Sequence, residues 1–437
     1  MQNLIVSKFG GTSNTKLEDL MKIKKIILDD PRRKIIVVSA PGARFKDDKK
    51  TTDLLIELAD TKNKEYLNYV LERYSFYPGN TDDIRESLTE RLNSSLSHDA
   101  YKAAIKAFGE EASARKLSEY LNAEYVDPKE IFLVNENFEN AKILPESNEM
   151  IKRRLHKDKL YVVPGFYGYT KNGLIATFSR QGSNLTASYI AASLDSLVYE
   201  NFSDQVGIFE VHPNIVKNAG KLKEITFNEM RDLSYIGGFD ILHQETLIPL
   251  ERKRIPVHIR STKDYPIEGT YVVYDRISDP NKPIIGIGYK DGFCSFNIEK
   301  FGLNDELGIL KRILEVLENN KVSLEFPVTA IDDISLIVRQ SDIKDAYKLN
   351  KIINELYLST GESSRINFKE GLAAISVAGK GLEDAYGIES KILSALTEAG
   401  INVKFISIGE QRRCFIYGIK GKDGYRAVNL LHEKFLK

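Results

Sequence analysis

Residue types suited to binding phosphate occur together near the start of the chain. The stretch "VSKFGGTSN" (Val6–Asn14) places Lys8 close to Gly10 and Gly11, and three hydroxyl or amide side chains follow. A lysine supplies a point charge, and glycines let backbone N–H groups approach phosphate oxygens. A strand that ends in a Gly-Gly turn is also common in α/β domains, so the stretch alone leaves both interpretations open.

Further stretches add polar side chains at strand ends and on helices. "VVSAPGARF" (Val37–Phe45) predicts a buried strand that ends in a second turn at Gly42, and "KKTTDLLIELA" (Lys49–Ala59) predicts a helix with Thr52 and Asp53 at its N-cap. "AFGEEASARKL" (Ala107–Leu117) sets Gly109 and Glu110 inside a helix. Because glycine costs about 1 kcal/mol against alanine there, we expect another element to pack closely against Gly109.

Two longer stretches combine a strand with a polar loop. "VVPGFYGYTKNGLIATFSRQGSN" (Val162–Asn184) predicts a strand, a hairpin, a second strand and a loop that opens a helix near Leu185, where anions are attracted. "YENFSDQVGIFEVHPN" (Tyr199–Asn214) predicts a strand followed by a polar loop.

These stretches lie on an alternation of short β-branched runs and amphipathic segments. The predicted helices include Leu17–Asp29, Asp53–Leu71 and Asp99–Leu121, and 75–96 is expected to add helix outside the sheet. The predicted strands are 4–6, 34–40, 131–135, 161–166, 174–178, 196–202 and 257–261. Such alternation indicates a mostly parallel sheet with helices on both faces.

The C-terminal part contains an internal repeat. "GILKRILEVLENNKVSLEF" (Gly308–Phe326) aligns without gaps with "GIESKILSALTEAGINVKF" (Gly387–Phe405), and each copy predicts a helix, a turn and a strand. Two amphipathic helices can resemble each other by chance, but agreement through helix, turn and strand favours a tandem repeat of small α+β modules, with a boundary near 283–292.

Composition excludes several classes of protein. The 437 residues include 62 Lys+Arg and 62 Asp+Glu, so a nucleic-acid or membrane-surface partner is not expected. The two cysteines, Cys294 and Cys414, lack metal-ligand spacing and fit a reducing compartment. No signal peptide and no apolar run of about 18–20 residues is seen. We therefore expect a cytoplasmic protein.

The ordered set of motifs resembles the amino-acid kinase family, and in particular its aspartate kinases followed by two ACT domains. The stretches "KFGG", "TTDLL", "FGE", "PGFYG", "SRQGSN" and "SDQVG" carry the resemblance, together with the tandem repeat. It implies an α/β fold: an amino-acid-kinase-like α/β/α sandwich over 1–283, then ferredoxin-like (ACT) α+β domains over 292–365 and 366–437. The implied activity is ATP-dependent phosphorylation of the L-aspartate β-carboxylate, the first step toward lysine, threonine and methionine.

The resemblance also implies roles for individual residues. The implied catalytic residues are Lys8, Glu110 and Arg180. Substrate binding would fall to Thr52, Phe166, Ser183 and Asn184. The nucleotide would be bound by Lys8, Gly10, Gly11, Gly42, Ser203, Asp204 and Phe209, with Mg²⁺ on the ATP phosphates and no metal ligands of its own from the protein. Without this context each residue has a second interpretation. Thr52 could equally cap a helix, Glu110 could be a solvated side chain, Arg180 could form a structural ion pair and Phe166 could be a core residue. His212 and His243 are expected to be structural.

The ACT-like modules imply regulation by an amino acid. The loop "GLNDELG" (Gly302–Gly308) would contact the effector through Asn304 and Asp305, and Asp332 or Asp333 could meet a cationic side chain such as that of lysine. Acidic residues at such a place can equally just cap and solvate the helix. An effector between two modules would imply a homodimer or a larger homo-oligomer.

Several positions depart from the family pattern. Asn184 and Gln181 stand where the family has aspartate and glycine, Asn214 replaces an arginine, and Phe209 replaces a tyrosine. Asp240 stands where many members have a lysine. These changes favour an alternative, a catalytically weak or inactive kinase-like amino-acid sensor. A kinase with a different acceptor, such as acetylglutamate, glutamate or a nucleotide, is a further alternative.

Overall fold

The computed structural model describes residues 3–179, 181–238 and 242–437, which fall into two compact units. The first unit comprises the described residues of Met1–Ile208, Lys221–Phe227 and Asp240–Arg276. The second comprises those of Phe209–Gly220, Asn228–Phe239 and Ile277–Lys437.

Strands and helices alternate through the first unit. The strands of the chain are β1 (Ile5–Phe9), β2 (Arg33–Val38), β3 (Glu124–Tyr125), β4 (Leu133–Val134), β5 (Tyr161–Pro164), β6 (Tyr167–Thr170), β7 (Ile175–Thr177), β8 (Val198–Ser203), β9 (Glu224–Thr226), β10 (Val257–Ser261), β11 (Thr270–Val273), β12 (Gly286–Glu299), β13 (Leu324–Thr329), β14 (Asp333–Arg339), β15 (Arg365–Ala378), β16 (Phe405–Ile408) and β17 (Cys414–Lys420). The α-helices are α1 (Leu17–Asp29), α2 (Thr51–Thr61), α3 (Lys64–Glu72), α4 (Asp82–Leu92), α5 (His98–Leu121), α6 (Glu146–Arg154), α7 (Gly182–Ser193), α8 (Phe227–Gly237), α9 (Gln244–Arg252), α10 (Ile309–Asn319), α11 (Ala346–Thr360), α12 (Ile388–Glu398) and α13 (Gly424–Phe435).

The main sheet of the first unit confirms the predicted α/β/α sandwich. Its strand order is β3-β5-β2-β1-β8-β10-β11-β9, and the pairs β2–β5, β1–β2, β1–β8 and β8–β10 are parallel. Phe9 and Phe202 stack at 4.9 Å on one face, within an apolar core that α1, α2 and α5 share. Successive strand residues face opposite sides, so Lys8 points to the other face, where α7 packs against β1 and β2.

Helix positions follow the sequence pattern, while helix ends depend on local chemistry. Helix α1 has the predicted bounds, and α4 supplies the helix expected within 75–96. The predicted helix Asp53–Leu71 is two helices, because Lys62 has a φ of 52° and Asn63 caps α3 by accepting a hydrogen bond from the Glu65 N–H. The N-cap prediction for Thr52 is wrong: α2 begins at Thr51, and no side chain caps it.

The second unit confirms the repeat and contains two ferredoxin-like ACT modules on one antiparallel sheet, ordered β13-β14-β12-β15-β17-β16. The long strands β12 and β15 pair from Gly286↔Ala378 to Glu299↔Arg365, with the register shifting between Lys290 and Ser295. One module uses the second half of β12, α10, β13, β14, α11 and the first half of β15, and its core includes Phe296 and Leu336. The other uses the remaining halves with α12, β16, β17 and α13, and its core includes Ile375 and Tyr417.

The repeated helices begin in the same way in both modules. Gly308 precedes α10 with a φ of 75°, and Gly387 precedes α12 with a φ of 70°. Both angles lie in the left-handed region, which glycine adopts without strain. The predicted domain bounds 1–283, 292–365 and 366–437 stay a prediction. In the described part of the chain, no helix combines the length and the apolarity needed to cross a bilayer.

Candidate functional site

The carboxyl ends of parallel strands converge at one edge of the main sheet. In the sheet, β2 and β5 lie on one side of β1, and the later strands β8 and β10 lie on its other side. Ligands in such sheets bind outside the carboxyl ends of strands where the strand order reverses, which here is the β1/β8 junction. Lys8 and the Gly10–Gly11 turn belong to this junction, as does Asp204 directly after β8.

Lys8 is a buried cation, 7% exposed, on the central strand of the sheet. Burial lowers the pKa of Lys8 from its usual 10.5 to about 8, while the carboxylates of Glu110 and Asp204 act in the opposite direction. At pH 7 the ammonium therefore keeps its charge in a poorly solvated place. Such a charge interacts more strongly with an incoming phosphate than one in water.

Glu110 reaches the same region from α5. Its Oε2 atom is buried and has no hydrogen-bond partner among the described residues, and burial raises the pKa of Glu110 to about 8 against the effects of the Ala40 N–H and of Lys8. The neighbouring Glu111 is instead held by Arg91 and by Arg115, at 3.1 Å. One carboxyl of the pair is thus fixed in an ion network, and the other is available to a ligand.

The close packing expected at Gly109 is confirmed. A Cβ on Gly109 would lie 2.8 Å from the Ala40 Cβ and 3.1 Å from the Leu55 Cδ1, and the Tyr74 hydroxyl donates to the Gly109 carbonyl at 2.8 Å. Glycine thus lets α5 approach the loop after β2, which brings Glu110 toward the sheet edge.

The glycine loops after β1 and β2 cross in contact. The Gly42 N–H donates to the Gly11 carbonyl at 2.9 Å, and the Gly10 N–H donates to the Phe202 carbonyl at 2.9 Å. A Cβ on Gly11 would lie 2.7 Å from the Ala40 carbonyl oxygen. In this structure the Gly10 and Gly42 N–H groups hold the loops together, and the nucleotide-binding roles of these glycines stay a prediction. Within the described residues, the N–H groups of Gly11 and Thr12 have no acceptor.

The segment after β5 packs against the start of α7. A Cβ on Gly165 would lie 2.5 Å from the Ser183 Cβ, so only glycine permits this approach. Phe166 has a φ of 81°, a strained value for a bulky residue, and its N–H donates to the Thr186 hydroxyl at 3.0 Å. The structure therefore brings together Phe166 and Ser183, two of the predicted substrate-binding residues.

Asn184 is buried at the first turn of α7. Its Nδ2 donates to the Gln181 Oε1 at 3.1 Å, and its Oδ1 is buried without a hydrogen-bond partner among the described residues. Gln181 is the N-cap residue, with a φ of 60°, and its Oε1 also accepts from the His243 N–H at 2.9 Å. The side chain of Gln181 is thereby fixed with its oxygen toward Asn184.

The remaining predicted kinase-site residues differ in burial and in position within the fold. Thr52 is half-buried in the first turn of α2, and Asp204 is exposed. The Ser203 hydroxyl accepts from the Gln205 N–H at 3.1 Å. Phe209 belongs to the second unit. Arg180 and Asp240 lie outside the described residues.

Sequence reasoning missed Asn201. It lies on β8 in register with Lys8 on β1, on the same face of the sheet, and its Oδ1 is buried without a partner in the described part of the structure. Neighbouring strands lie about 4.8 Å apart, so the two side chains are adjacent. The sequence does contain one indication of a role for Asn201, because it is an amide within the apolar run of a predicted buried strand. The sequence does not show, however, which strand lies beside β1.

One of the predicted effector residues, Asn304, lines a cavity in the first ACT module, whereas Asp305, Asp332 and Asp333 are not part of its lining. This cavity of about 320 Å³ lies between the start of α10 and the β13–β14 turn, and Ile331 also lines it. Asp332 accepts from the Gly302 N–H at 2.7 Å, and Asp333 accepts from the Asn297 Nδ2 at 2.8 Å. Asp305 is exposed and has no ion pair with any described residue, which leaves it the most available of the three carboxylates.

Comparison with known proteins adds independent findings. The amino acid kinase family pattern matches residues 3–261, and an ACT domain pattern matches 375–435. The chain is 36% identical to aspartokinase 3 of Bacillus subtilis, over 98% of both chains. It is 24% identical to the lysine-sensitive aspartokinase 3 of Escherichia coli, over all of both chains. The crystal structure of Clostridium acetobutylicum aspartate kinase superposes with a TM-score of 0.89 at 30% identity and covers both chains completely.

Proposed function

The chain belongs to the amino acid kinase family and, within it, to the aspartokinases, and on that premise we propose that it transfers the γ-phosphoryl group of ATP to the β-carboxylate of L-aspartate. The observation that carries the proposal is the meeting of buried Lys8, the unpartnered Oε2 of Glu110 and the crossed glycine loops at the β1/β8 junction. The product would be 4-phospho-L-aspartate, which commits aspartate toward lysine, threonine and methionine. We propose a cytoplasmic location for this activity.

The reaction must bring two anions together, so positive charge and N–H donors decide its rate. Lys8 would bridge the phosphoryl group in transfer, and its lowered pKa still leaves it protonated at pH 7. The free N–H groups of Gly11 and Thr12 would receive phosphate oxygens. Phosphoryl transfer is mainly positioning and charge stabilisation, so no nucleophilic side chain is required.

The substrate ammonium provides a partner for Glu110. In the free enzyme burial keeps much of this carboxyl neutral at pH 7, since its pKa is about 8. A cation placed beside it favours the ionised form, so aspartate binding would release a proton from Glu110. Ser183 and Asn184, at the start of α7, would hold the substrate's remaining polar groups, together with Arg180 on an α- or β-carboxylate.

The donor set fits a magnesium ion carried by the nucleotide. Among the described residues, no group of three or more His, Cys, Asp or Glu side chains is arranged to hold a metal alone. Mg²⁺ commonly takes most of its ligands from substrate phosphates and water, with one or two carboxylates. Asp204, next to Lys8 at the end of β8, is the carboxylate placed to assist. Such an ion would neutralise charge on the phosphates.

We further propose feedback inhibition by an amino acid, with lysine as the preferred effector. Ile331, which lines the cavity beside Asn304, is 74% exposed. Phe301 and Leu307, three residues to either side of Asn304 in the sequence, are 95% and 96% exposed. A second copy of the chain would cover these side chains and close the cavity, so a homodimer or larger homo-oligomer is expected. Asp305 supplies an anion for the lysine side chain, and the E. coli relative named lysine-sensitive supports this choice.

The test is an acyl-phosphate trapping assay with hydroxylamine over a panel of acidic acceptors. With ATP and Mg²⁺, L-aspartate should give hydroxamate, while L-glutamate, acetylglutamate and D-aspartate should give little. Hydroxamate from glutamate or acetylglutamate in preference to aspartate would overturn the assigned acceptor. No hydroxamate from any acid would instead favour the kinase-like amino-acid sensor.

A further inference from the structure

A second cavity in the C-terminal unit is basic and belongs to neither site above. It has a volume of about 570 Å³, and its lining includes Lys369, Lys404, Lys420 and Lys422. We call it the basic cavity. Volumes of about 300–1,000 Å³ are typical of small-molecule sites.

The basic cavity and the cavity beside Asn304, which we call the effector cavity, lie on opposite faces of the sheet. On β14, Ile334 lines the effector cavity, while Ser335 and Ile337 line the basic cavity. Alternate strand residues face opposite sides, so the two cavities lie on opposite faces of β14. An amino-acid effector bound beside Asn304 would leave the basic cavity empty.

The charges of the basic cavity are unbalanced. Its lining contains four lysines and one acidic residue, Glu370. None of the four lysines forms an ion pair with another residue in the described part of the chain, although ion pairs are common elsewhere in this unit, such as Arg339–Glu325 at 2.9 Å. Four like charges that converge on one concave surface repel each other and attract an anion.

Hydrogen-bonding groups are present between the lysines. Ser295 is 5% exposed and Asn297 9% exposed, and both line the cavity. The Asn297 Nδ2 donates to the Ser335 hydroxyl at 3.0 Å and to Asp333 at 2.8 Å, so this side chain is fixed in orientation. The Ser295 hydroxyl has no hydrogen-bond partner among the described residues and is available to a ligand.

An apolar wall completes the basic cavity. Ile337, Leu372 and Phe405 line it, and all three belong to a buried apolar cluster on this face. A bare inorganic anion would leave this wall in contact with water. A ligand that carries both negative charge and an apolar or aromatic body would use the whole lining.

We propose that the basic cavity binds a small organic phosphate, with its phosphate group among the four lysines and its organic body against Phe405, Leu372 and Ile337. Lysine suits a phosphate as a point charge. The four lysines come from separate segments: Lys369 from β15, Lys404 from the residue before β16, Lys420 from the end of β17 and Lys422 from the turn after it. Bound there, the phosphate ties both ACT modules together, since Ser295 belongs to one and Lys420 to the other.

Calorimetry on the full chain tests this proposal. The kinase site is first filled with ADP, Mg²⁺ and aspartate, and phenyl phosphate and inorganic phosphate are then titrated separately at low salt. Phenyl phosphate should bind at one site per chain, several-fold more tightly than inorganic phosphate, and 0.5 M salt should weaken it. The double variant Lys404→Gln/Lys420→Gln should bind phenyl phosphate about tenfold more weakly.

The matched control is Lys311→Gln/Lys344→Gln, which removes two charges from the same unit outside the basic cavity. It should bind phenyl phosphate like the wild type, and both variants should keep wild-type hydroxamate formation, which shows that they are folded. No phenyl phosphate binding by the wild type, or equal weakening in both double variants, would overturn the proposal. Equal affinity for both phosphates would remove the role of the apolar wall. None of these outcomes depends on which acid the kinase site phosphorylates.

Discussion

Asn184 offers the sharpest test of how the substrate loop works. The family pattern has an aspartate here, and judged by that pattern alone Asn184→Asp would restore a charge for the substrate ammonium. In this structure the Asn184 Nδ2 donates to the Gln181 Oε1 at 3.1 Å, and that oxygen is fixed by the His243 N–H. A carboxylate at 184 would lose this hydrogen bond and face the Gln181 oxygen instead.

The hydrogen-bond energies indicate that this loop is stabilised by the Asn184 amide and would not be stabilised by a carboxylate. A hydrogen bond to a charged group contributes about 1.5–3 kcal/mol and a neutral one about 0.5–1.5, so the carboxylate gains about 1–1.5 kcal/mol with the ammonium. The lost bond to Gln181 costs about 1 kcal/mol, and the repulsion between two buried oxygens adds to that cost. We therefore expect Asn184→Asp alone to leave the KM for aspartate unchanged or higher, and to lower stability.

The companion change is Gln181→Gly. Gln181 has a φ of 60°, a value that glycine adopts without strain, and its removal takes away the opposing oxygen. Gln181→Gly/Asn184→Asp should lower the KM for aspartate about tenfold relative to wild type, which corresponds to about 1.4 kcal/mol.

Steady-state kinetics on both single variants and the double variant form a complete cycle, with the KM for ATP as internal control. A tenfold lower KM in Asn184→Asp alone would refute the role given to Gln181. No gain in the double variant would show that residue 184 does not contact the ammonium.

Three further predictions concern other residues. Glu110 has a pKa raised to about 8, so the folded protein binds an extra proton between about pH 4.5 and 8 and loses stability as the pH rises through that range. The Tm of Glu110→Gln should therefore rise relative to that of wild type as the pH increases from 5 to 8, and its kcat should be greatly reduced. The exposed Glu90→Gln should show neither effect. A Tm difference between Glu110→Gln and wild type that does not change with pH would contradict the assignment. Asn201→Leu removes the unpartnered Oδ1 beside Lys8, so it should raise the KM for ATP several-fold without lowering Tm; unaltered kinetics would exclude Asn201 from the site. Calorimetry with lysine, threonine and methionine should show lysine binding that Asp305→Ala weakens about tenfold or more; threonine binding without lysine binding would contradict the effector assignment.

Local patterns predicted local structure well in this chain. The apolar spacing of Leu17–Asp29 gave the bounds of α1, because a strong amphipathic stripe is read from neighbouring residues alone. The mid-helix Gly109 correctly indicated a close contact, since a glycine there is costly unless something needs the space. The gapless repeat predicted the two similar modules, because each copy encodes the same helix, turn and strand.

Features that depend on distant pairing were not predictable. The position of Asn201 beside Lys8 arises from β8 returning to pair with β1, which no local pattern encodes. The sharing of β12 and β15 by both ACT modules likewise requires pairing across the whole C-terminal unit. The use of the Gly10 and Gly42 N–H groups within the protein depends on how two loops cross. The sequence indicated which residues matter here, but not which atoms remain free for a ligand.

The central claim is that Lys8 at the end of β1 supports phosphoryl transfer to aspartate. It is tested most directly by the hydroxamate yield of Lys8→Ala with ATP, Mg²⁺ and aspartate. The exposed Lys16→Ala serves as the matched control, and Tm is measured in parallel. The account predicts that Lys8→Ala forms no detectable hydroxamate at a nearly unchanged Tm, while Lys16→Ala matches wild type. A Lys8→Ala protein that keeps more than about a tenth of wild-type turnover, a loss of less than about 1.4 kcal/mol in transition-state stabilisation, would contradict it.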